Sequence, residues 1–299
     1  MPLTPSRSRL RLAIAGDLHG DWCDADPALL QRLAPDAVLF VGDLSDGDLR
    51  LTKAITRLPH PVAVILGNHD RGKDPSGGVL QRQMDLLGEL HCGWRRRQWQ
   101  SPALGVVGCR PGSAGGGFHL SKAVQAVVGP LTVEQSAARI VDACADVPDG
   151  WPLVLLAHSG PTGLGSEAAD PCGRDWKQPA CDWGDADLAL ALTQMAPQRR
   201  PQLVVFGHMH HRLKGRQGER RTYVRDRHGT VFLNAACVPR RGLDPAGRTL
   251  CHWSWVEFDQ GELVHVSHRW FLPDGALAYA ETLLEVGSAE ATGSAEATV

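Results

Sequence analysis

Short apolar runs that each stop on a polar, metal-ligating type of residue constrain this chain more than any other feature. Residues 10–15 run into Gly16-Asp17-Leu18-His19, residues 37–41 into Gly42-Asp43, and residues 62–66 into Gly67-Asn68-His69-Asp70. Further on, residues 153–157 run into His158 and residues 203–206 into Gly207-His208-Met209-His210. Continuous apolar runs of this length suit strands covered on both faces, and helical patterns at 27–33 and 48–58 alternate with the first three. Side chains at strand ends project into the crevice where α/β proteins bind ligands, so the pattern predicts that the five segments share one site. A lone Asp after a strand is most often a cap or turn former. A lone His is most often packed. The ordered repetition is what carries the inference.

The remainder reads as a hairpin of 94–100 against 103–109, a glycine-rich loop at 112–117, and a helix to about 147 opened by a Thr132/Gln135 capping box. A helix is expected at 185–195. Strand patterning follows at 222–227, 230–234, 251–258 and 263–271, the last two joined at Asp259-Gln260-Gly261-Glu262. Trp253 and Trp255, at alternating positions, are expected to pack between layers. Two packed sheets with helices outside fit this α/β succession better than one sheet. Residues 1–286 read as a single domain with an acidic insertion at 162–187. Residues 287–299 repeat Gly-Ser-Ala-Glu-Ala-Thr, too small and polar to offset ordering entropy, and read as a disordered tail.

Composition narrows the function classes. At 299 residues and 43% hydrophobic content the chain can bury a sizeable core. Thirty-one Lys and Arg against 33 Asp and Glu leave a net charge of -2, which supplies no general pull on nucleic acid or anionic membranes. No apolar run approaches the ~20 residues that span a bilayer. The basic start is followed by too short an apolar stretch for a signal peptide, so the expected location is cytoplasmic. The eight cysteines, without a CxxC pair, read as reduced thiols, with Cys172 and Cys181 the pair that could close oxidatively.

Imidazole, carboxylate and a single amide suit divalent Zn, Fe or Mn, and no cysteine stands at these turns to suggest a structural thiolate zinc. The candidate ligands exceed what one ion with an open position needs. Two ions about 3.5–4 Å apart would use them if one carboxylate bridged.

The segments D-x-H, G-D, G-N-H-D, H and G-H-x-H, in that order across residues 17–210, resemble the signature of the calcineurin-like metallophosphoesterase superfamily. The resemblance implies a four-layer αββα sandwich of two mixed sheets. It implies that Asp17, His19 and His210 hold one metal, that Asn68, His158 and His208 hold a second, and that Asp43 bridges them. It further implies that His69 protonates the leaving group, with Asp70 orienting its ring, while a bridging hydroxide attacks the phosphorus of a small phosphomonoester or phosphodiester. Gly42-Asp-Leu-Ser-Asp-Gly47 departs from the Asp-Arg-Gly run of the Ser/Thr protein phosphatases. Tyr223 and Tyr279, both after the last block, depart from the purple acid phosphatases.

Substrate determinants are sought in loops over the site. Arg110 is a candidate phosphate clamp and Asn234 a candidate substrate or supporting residue. The 162–187 insertion is either a lid or a solvated loop. Residues 212–228 carry Arg212, Lys214, Arg216, Arg220, Arg221, Arg225 and Arg227. They would form a phosphate-backbone track in a nuclease, or, as preferred here, a charged hairpin compensated by the acidic insertion. A non-catalytic interaction module is the alternative from a different class.

Overall fold

Alternate residues of each central strand go to opposite faces, and that parity sorts the chain into layers. In the computed structural model, which describes residues 9–214 and 218–286, the first strand is β1 (Arg9–Ala15). It is followed by α1 (Ala25–Leu33), β2 (Ala37–Phe40), α2 (Leu49–Ile55), β3 (Val62–Val64) and α3 (Gly78–Leu87). The hairpin β4 (Arg96–Gln100) and β5 (Ala103–Gly108) leads to α4 (Lys122–Val128) and α5 (Val133–Ala145). Then come β6 (Leu153–Leu156), α6 (Ala186–Gln194), β7 (Leu203–Phe206), β8 (Tyr223–Arg225) and β9 (Val231–Asn234). The chain closes with β10 (Arg241–Leu243), β11 (Thr249–Asp259), β12 (Glu262–Phe271) and β13 (Leu277–Glu285).

One mixed sheet has the order β13-β12-β11-β1-β2-β3, with β10 beside β11; the other runs β4-β5-β6-β7-β9-β8. Leu12, Ile14, Leu39 and Val41 of the first sheet meet Val106, Val154, Leu156 and Val205 of the second in a buried inter-sheet core. Their sequence neighbours face outward. Ala13, Ala15, Val38 and Phe40 pack under Leu29, Leu30, Ile55 and Leu80 of α1 to α3, together with Trp253 and Trp255. On the far side, Val107, Leu155 and Val204 pack under Ile140, Leu188 and Leu192 of α5 and α6. Three cores between four layers make the αββα sandwich that the resemblance implies.

Local chemistry fixes the element ends. The Thr132/Gln135 capping box forms reciprocally at the start of α5, and the Asp48 side chain caps α2 through the Arg50 N–H. Gln260 and Gly261 both take positive φ between paired Asp259 and Glu262, the twist that a two-residue hairpin turn requires. The eight cysteines are free thiols; Cys172 is fully buried, and the closed loop with Cys181 is not present. The repeat at 287–299 lies outside the described residues, as do positions 215–217.

Arg110 is not a phosphate clamp. Its guanidinium is 1% exposed and is spent internally, Nε donating to Asp187 at 3.0 Å and Nη2 to Asp185 at 2.6 Å. Nη1 donates to the His119 carbonyl at 2.7 Å. These bonds pin the loop after β5 to the start of α6. Removing the cation leaves two buried carboxylates with hydroxyl donors from Ser113 and Ser136 but no opposite charge, so Arg110→Met should cost about 3–5 kcal/mol. Urea denaturation of the variant measures that loss.

Candidate metal centre

The parallel strands β1, β2 and β3 of one sheet, and β6, β7 and β9 of the other, deliver their following turns to a common crevice. Backbone bonds lock these turns together: Asp17 N–H donates to the Gly42 carbonyl at 3.0 Å, His19 N–H to Asp43 at 2.9 Å, and Gly207 N–H to His158 at 2.8 Å. The sheets are joined across the crevice by side chains. The His208 N–H donates to the Asp17 carboxylate at 3.0 Å, and His158 Nδ1 donates to the Val41 carbonyl at 2.7 Å.

Asp17, His19 and His210 bring one ligating atom each to within 4.8 Å of one another, and Asp43, His158 and His208 form a second such group. Asn68 joins the second group, its Oδ1 lying 3.0 Å from His158 Nε2. The chemistry of these donors fits divalent ions. His158 commits Nδ1 to Val41, which leaves Nε2 for a ligand. His208 Nε2 is buried with no hydrogen-bond partner among the described residues. An unsatisfied buried nitrogen grouped with Asp43 and His158 is one that a divalent cation would satisfy.

The glycines of the motifs have a steric cause. A Cβ on Gly67 would stand 2.3 Å from Asp43 Oδ1, and one on Gly207 would stand 2.1 Å from Asp17 Oδ2. Each glycine therefore makes room for the carboxylate of a different block. Asp17, His19, Asp43 and His208 all adopt φ between 45 and 68°. Non-glycine residues in that region cost of order 1–3 kcal/mol each and persist only where surrounding contacts impose them.

Asp70 does not orient the His69 ring. It is buried beneath the turns, where its Oδ1 accepts the Leu44 N–H and its Oδ2 the Gly67 N–H, both at 2.8 Å. It ties the second block to the third, and burial beside Asp43 raises its carboxyl to about 7. The carboxylate that meets His69 is Asp46, with Oδ1 3.0 Å from His69 Nδ1 and 3.3 Å from His19 Nδ1. The sequence signal for Asp46 is its place three residues after Asp43 in an Asp-Gly turn. Asn234 is likewise fully buried and does not face a substrate. Its Nδ2 donates to the Met209 carbonyl at 2.7 Å and its Oδ1 accepts the Ala236 N–H, so it braces the Gly-His-x-His turn from behind.

Two of the basic residues of 212–228, Arg220 and Arg221, are compensated by the acidic insertion. Arg220, 5% exposed, lies 3.4 Å from Asp175 and donates to the carbonyls of Ala168, Asp170 and Gly173. Its Nε reaches back to the His210 carbonyl at 3.0 Å, and Arg221 pairs with Asp170 at 2.8 Å.

Across residues 10–212 the sequence matches the family model described as calcineurin-like phosphoesterase. The chain belongs to that family. It is a hydrolase acting on phosphoric ester bonds, and the family implies divalent metal ions. Among curated proteins, none matches the sequence. Solved structures share the fold at low identity. A dimetal phosphatase from Danio rerio superposes with a TM-score of 0.51 at 11% identity, over 93% of this chain and 99% of that one. A 5'-nucleotidase precursor from Thermus thermophilus gives 0.51 at 20% identity over 90% of this chain, and a purple acid phosphatase from yellow lupin seeds gives 0.51 at 14% over 94%. This chain spans 55% of the length of each of the latter two. No helix among the described residues is long and apolar enough to cross a membrane.

Charge around the crevice is unequal. Burial opposes ionisation of Asp43, but His158 overrides it and holds the carboxyl well below its usual range. Burial would lower His158 too, yet the Asp43 carboxylate, 3.4 Å from Nε2, raises it to about 10. His208, by contrast, is lowered to about 4 by burial and by His158. In the metal-free protein the His158–Asp43 pair therefore stabilises the fold fully between about pH 4 and 6.5, is lost as pH rises through about 10, and is lost in acid as Asp43 takes up a proton. An ion needs the Nε2 lone pair, so loading manganese near pH 8 should release about one proton from His158. Titration calorimetry in buffers of different ionisation enthalpy reads that proton; a buffer-independent heat would contradict the assignment.

Proposed function

We propose that the chain hydrolyses a small phosphate ester, a monoester or a diester, at a pair of divalent ions lodged between the two sheets. The observation that carries this reading is the convergence of two ligand groups from separate strand ends, one with Asp17 and one with Asp43. Asp17, His19 and His210 would hold one ion, Asn68, His158 and His208 the other, and Asp43 would lie between them. The Danio rerio fold relative is itself a dimetal phosphatase, which supports a count of two. Manganese, iron and zinc all suit this oxygen and imidazole set. When bound, such ions supply positive charge for a phosphate and make water nucleophilic near neutral pH.

His69 has the position of a proton donor. Its side chain is 53% exposed into the crevice, its Nδ1 faces the Asp46 carboxylate, and its Nε2 is thereby left to carry a proton toward a leaving alkoxide. Asp46 fixes which nitrogen faces outward. The His69 backbone has a separate task, since its N–H donates to Asp43 Oδ1 at 2.7 Å. Asp70 and Asn234 act at one remove by holding the turns. Free thiols throughout fit a reducing compartment such as the cytoplasm. The full set of candidate ligands favours catalysis over a purely interacting module, and the burial of Arg220 weighs against a nuclease track.

Metal content per chain, with rates on one generic monoester and one generic diester in the presence and absence of manganese, tests the reading. Two equivalents and a metal-dependent rate are expected; a fully loaded protein inactive on both esters would overturn it. His69→Ala preserves the backbone bond to Asp43, so it should keep its metal and lose about 10²–10⁴ in kcat. Asp46→Asn should lose less, with metal intact. Asp43→Ala should lose metal and rate together, read by elemental analysis beside the assay.

A further inference from the structure

The crevice continues outward into a cavity of about 530 Å³ whose inner lining is His19, Asp43, His69 and His208. Its outer wall includes Asp175 and Trp176 of the acidic insertion, with Arg212 and Lys214 of the basic segment. Trp176 is 45% exposed and follows the buried stretch that ends at Asp175. Asp175, its immediate neighbour, is 8% exposed, accepts the Lys214 N–H at 2.6 Å and faces Arg220. The ring itself is set edge-on to Trp183 at 5.4 Å and 80°. Trp183 is fixed in turn, its Nε1 donating to the Ala114 carbonyl at 2.9 Å and Arg174 lying over its ring at 5.1 Å. Trp176 is thus an aromatic surface, anchored at Asp175 and set against Trp183, that is presented to the cavity holding the candidate ligands.

We infer that Trp176 is a stacking platform that selects phosphate esters whose alcohol portion carries a planar aromatic ring. This rests on the proposed phosphoesterase centre and names the substrate class it takes. The ester phosphate would go inward to the ligand groups, and the ring would lie outward against the indole. The buried anchor at Asp175 and the edge contact with Trp183 lower the ordering entropy that stacking on the indole costs. Arg212 and Lys214, which form no side-chain ion pair among the described residues, add positive charge at the same mouth and raise the local concentration of an anionic ester.

The test compares wild type, Trp176→Ala and Trp176→Phe, loaded with manganese, on 1-naphthyl phosphate and glycerol 2-phosphate. Loss of the platform should lower the ratio of kcat/KM for the naphthyl ester over the glycerol ester by about tenfold or more, chiefly through KM, and Phe should restore most of it. An unchanged ratio in Trp176→Ala overturns the inference while leaving the metal centre standing. Binding supplies a readout free of turnover: the Kd of 1-naphthylphosphonate should rise about tenfold in Trp176→Ala, while that of methylphosphonate should not follow it. Equal changes for the two phosphonates overturn the platform. Failure of the wild type to hydrolyse any ester defeats the proposed function instead, and the phosphonate comparison still judges Trp176.

Discussion

The bond from His158 Nδ1 to the Val41 carbonyl is the constraint on which the centre depends. It crosses from the end of β6 to the end of β2, so it fixes the separation of the two sheets at the crevice and, in the same stroke, fixes which imidazole nitrogen faces inward. With that nitrogen directed at Asp43 and Asn68, the ring cannot serve one sheet without serving the other. The His208 N–H on Asp17 makes a second crossing of the same gap. A centre built this way would be rigid, because its candidate ligands are also the fastening between layers.

Behind this line lies a set of buried side chains that touch no substrate and nonetheless decide where the ligands stand. Asp70 joins two turns through backbone N–H groups, and Asn234 holds the Met209 carbonyl between the two histidines of the last turn. Arg220 extends the support outward, bonding the His210 carbonyl on one side and the carbonyls of the insertion on the other. The outer wall of the cavity and a candidate metal ligand therefore hang from one guanidinium. By this bonding residues 168–173 of the insertion are tied to the Gly-His-x-His turn.

Much of the fold was legible because its central strands are buried on both faces and alternate with helices, which writes them as uninterrupted apolar runs. Candidate site positions could be read for a related reason: the residues that end those runs are Asp, Asn and His, and parallel strands bring their ends together. What could not be read shares a different property. β13 was missed because it is an outer strand with both faces largely exposed, so Leu277-Ala-Tyr-Ala-Glu carries no inward and outward alternation. Arg110 looked available because sequence does not reveal that Asp185 and Asp187, some 75 residues later, close around it. The task expected of Asp70 falls to Asp46 for the same reason. Each is an Asp near His69 along the chain or in space, and only the course of the backbone tells which carboxylate faces the ring and which lies beneath it.

The left-handed backbone at Asp17, His19, Asp43 and His208 bears on how such a chain can change over generations. Glycine relaxes that conformation at no steric cost, and His208 leaves a buried nitrogen unpartnered when no cation is present. A lineage screened only for heat resistance would thus be drawn toward glycine at the positions where chemistry resides. Durability and activity pull in opposite directions on the same few torsions.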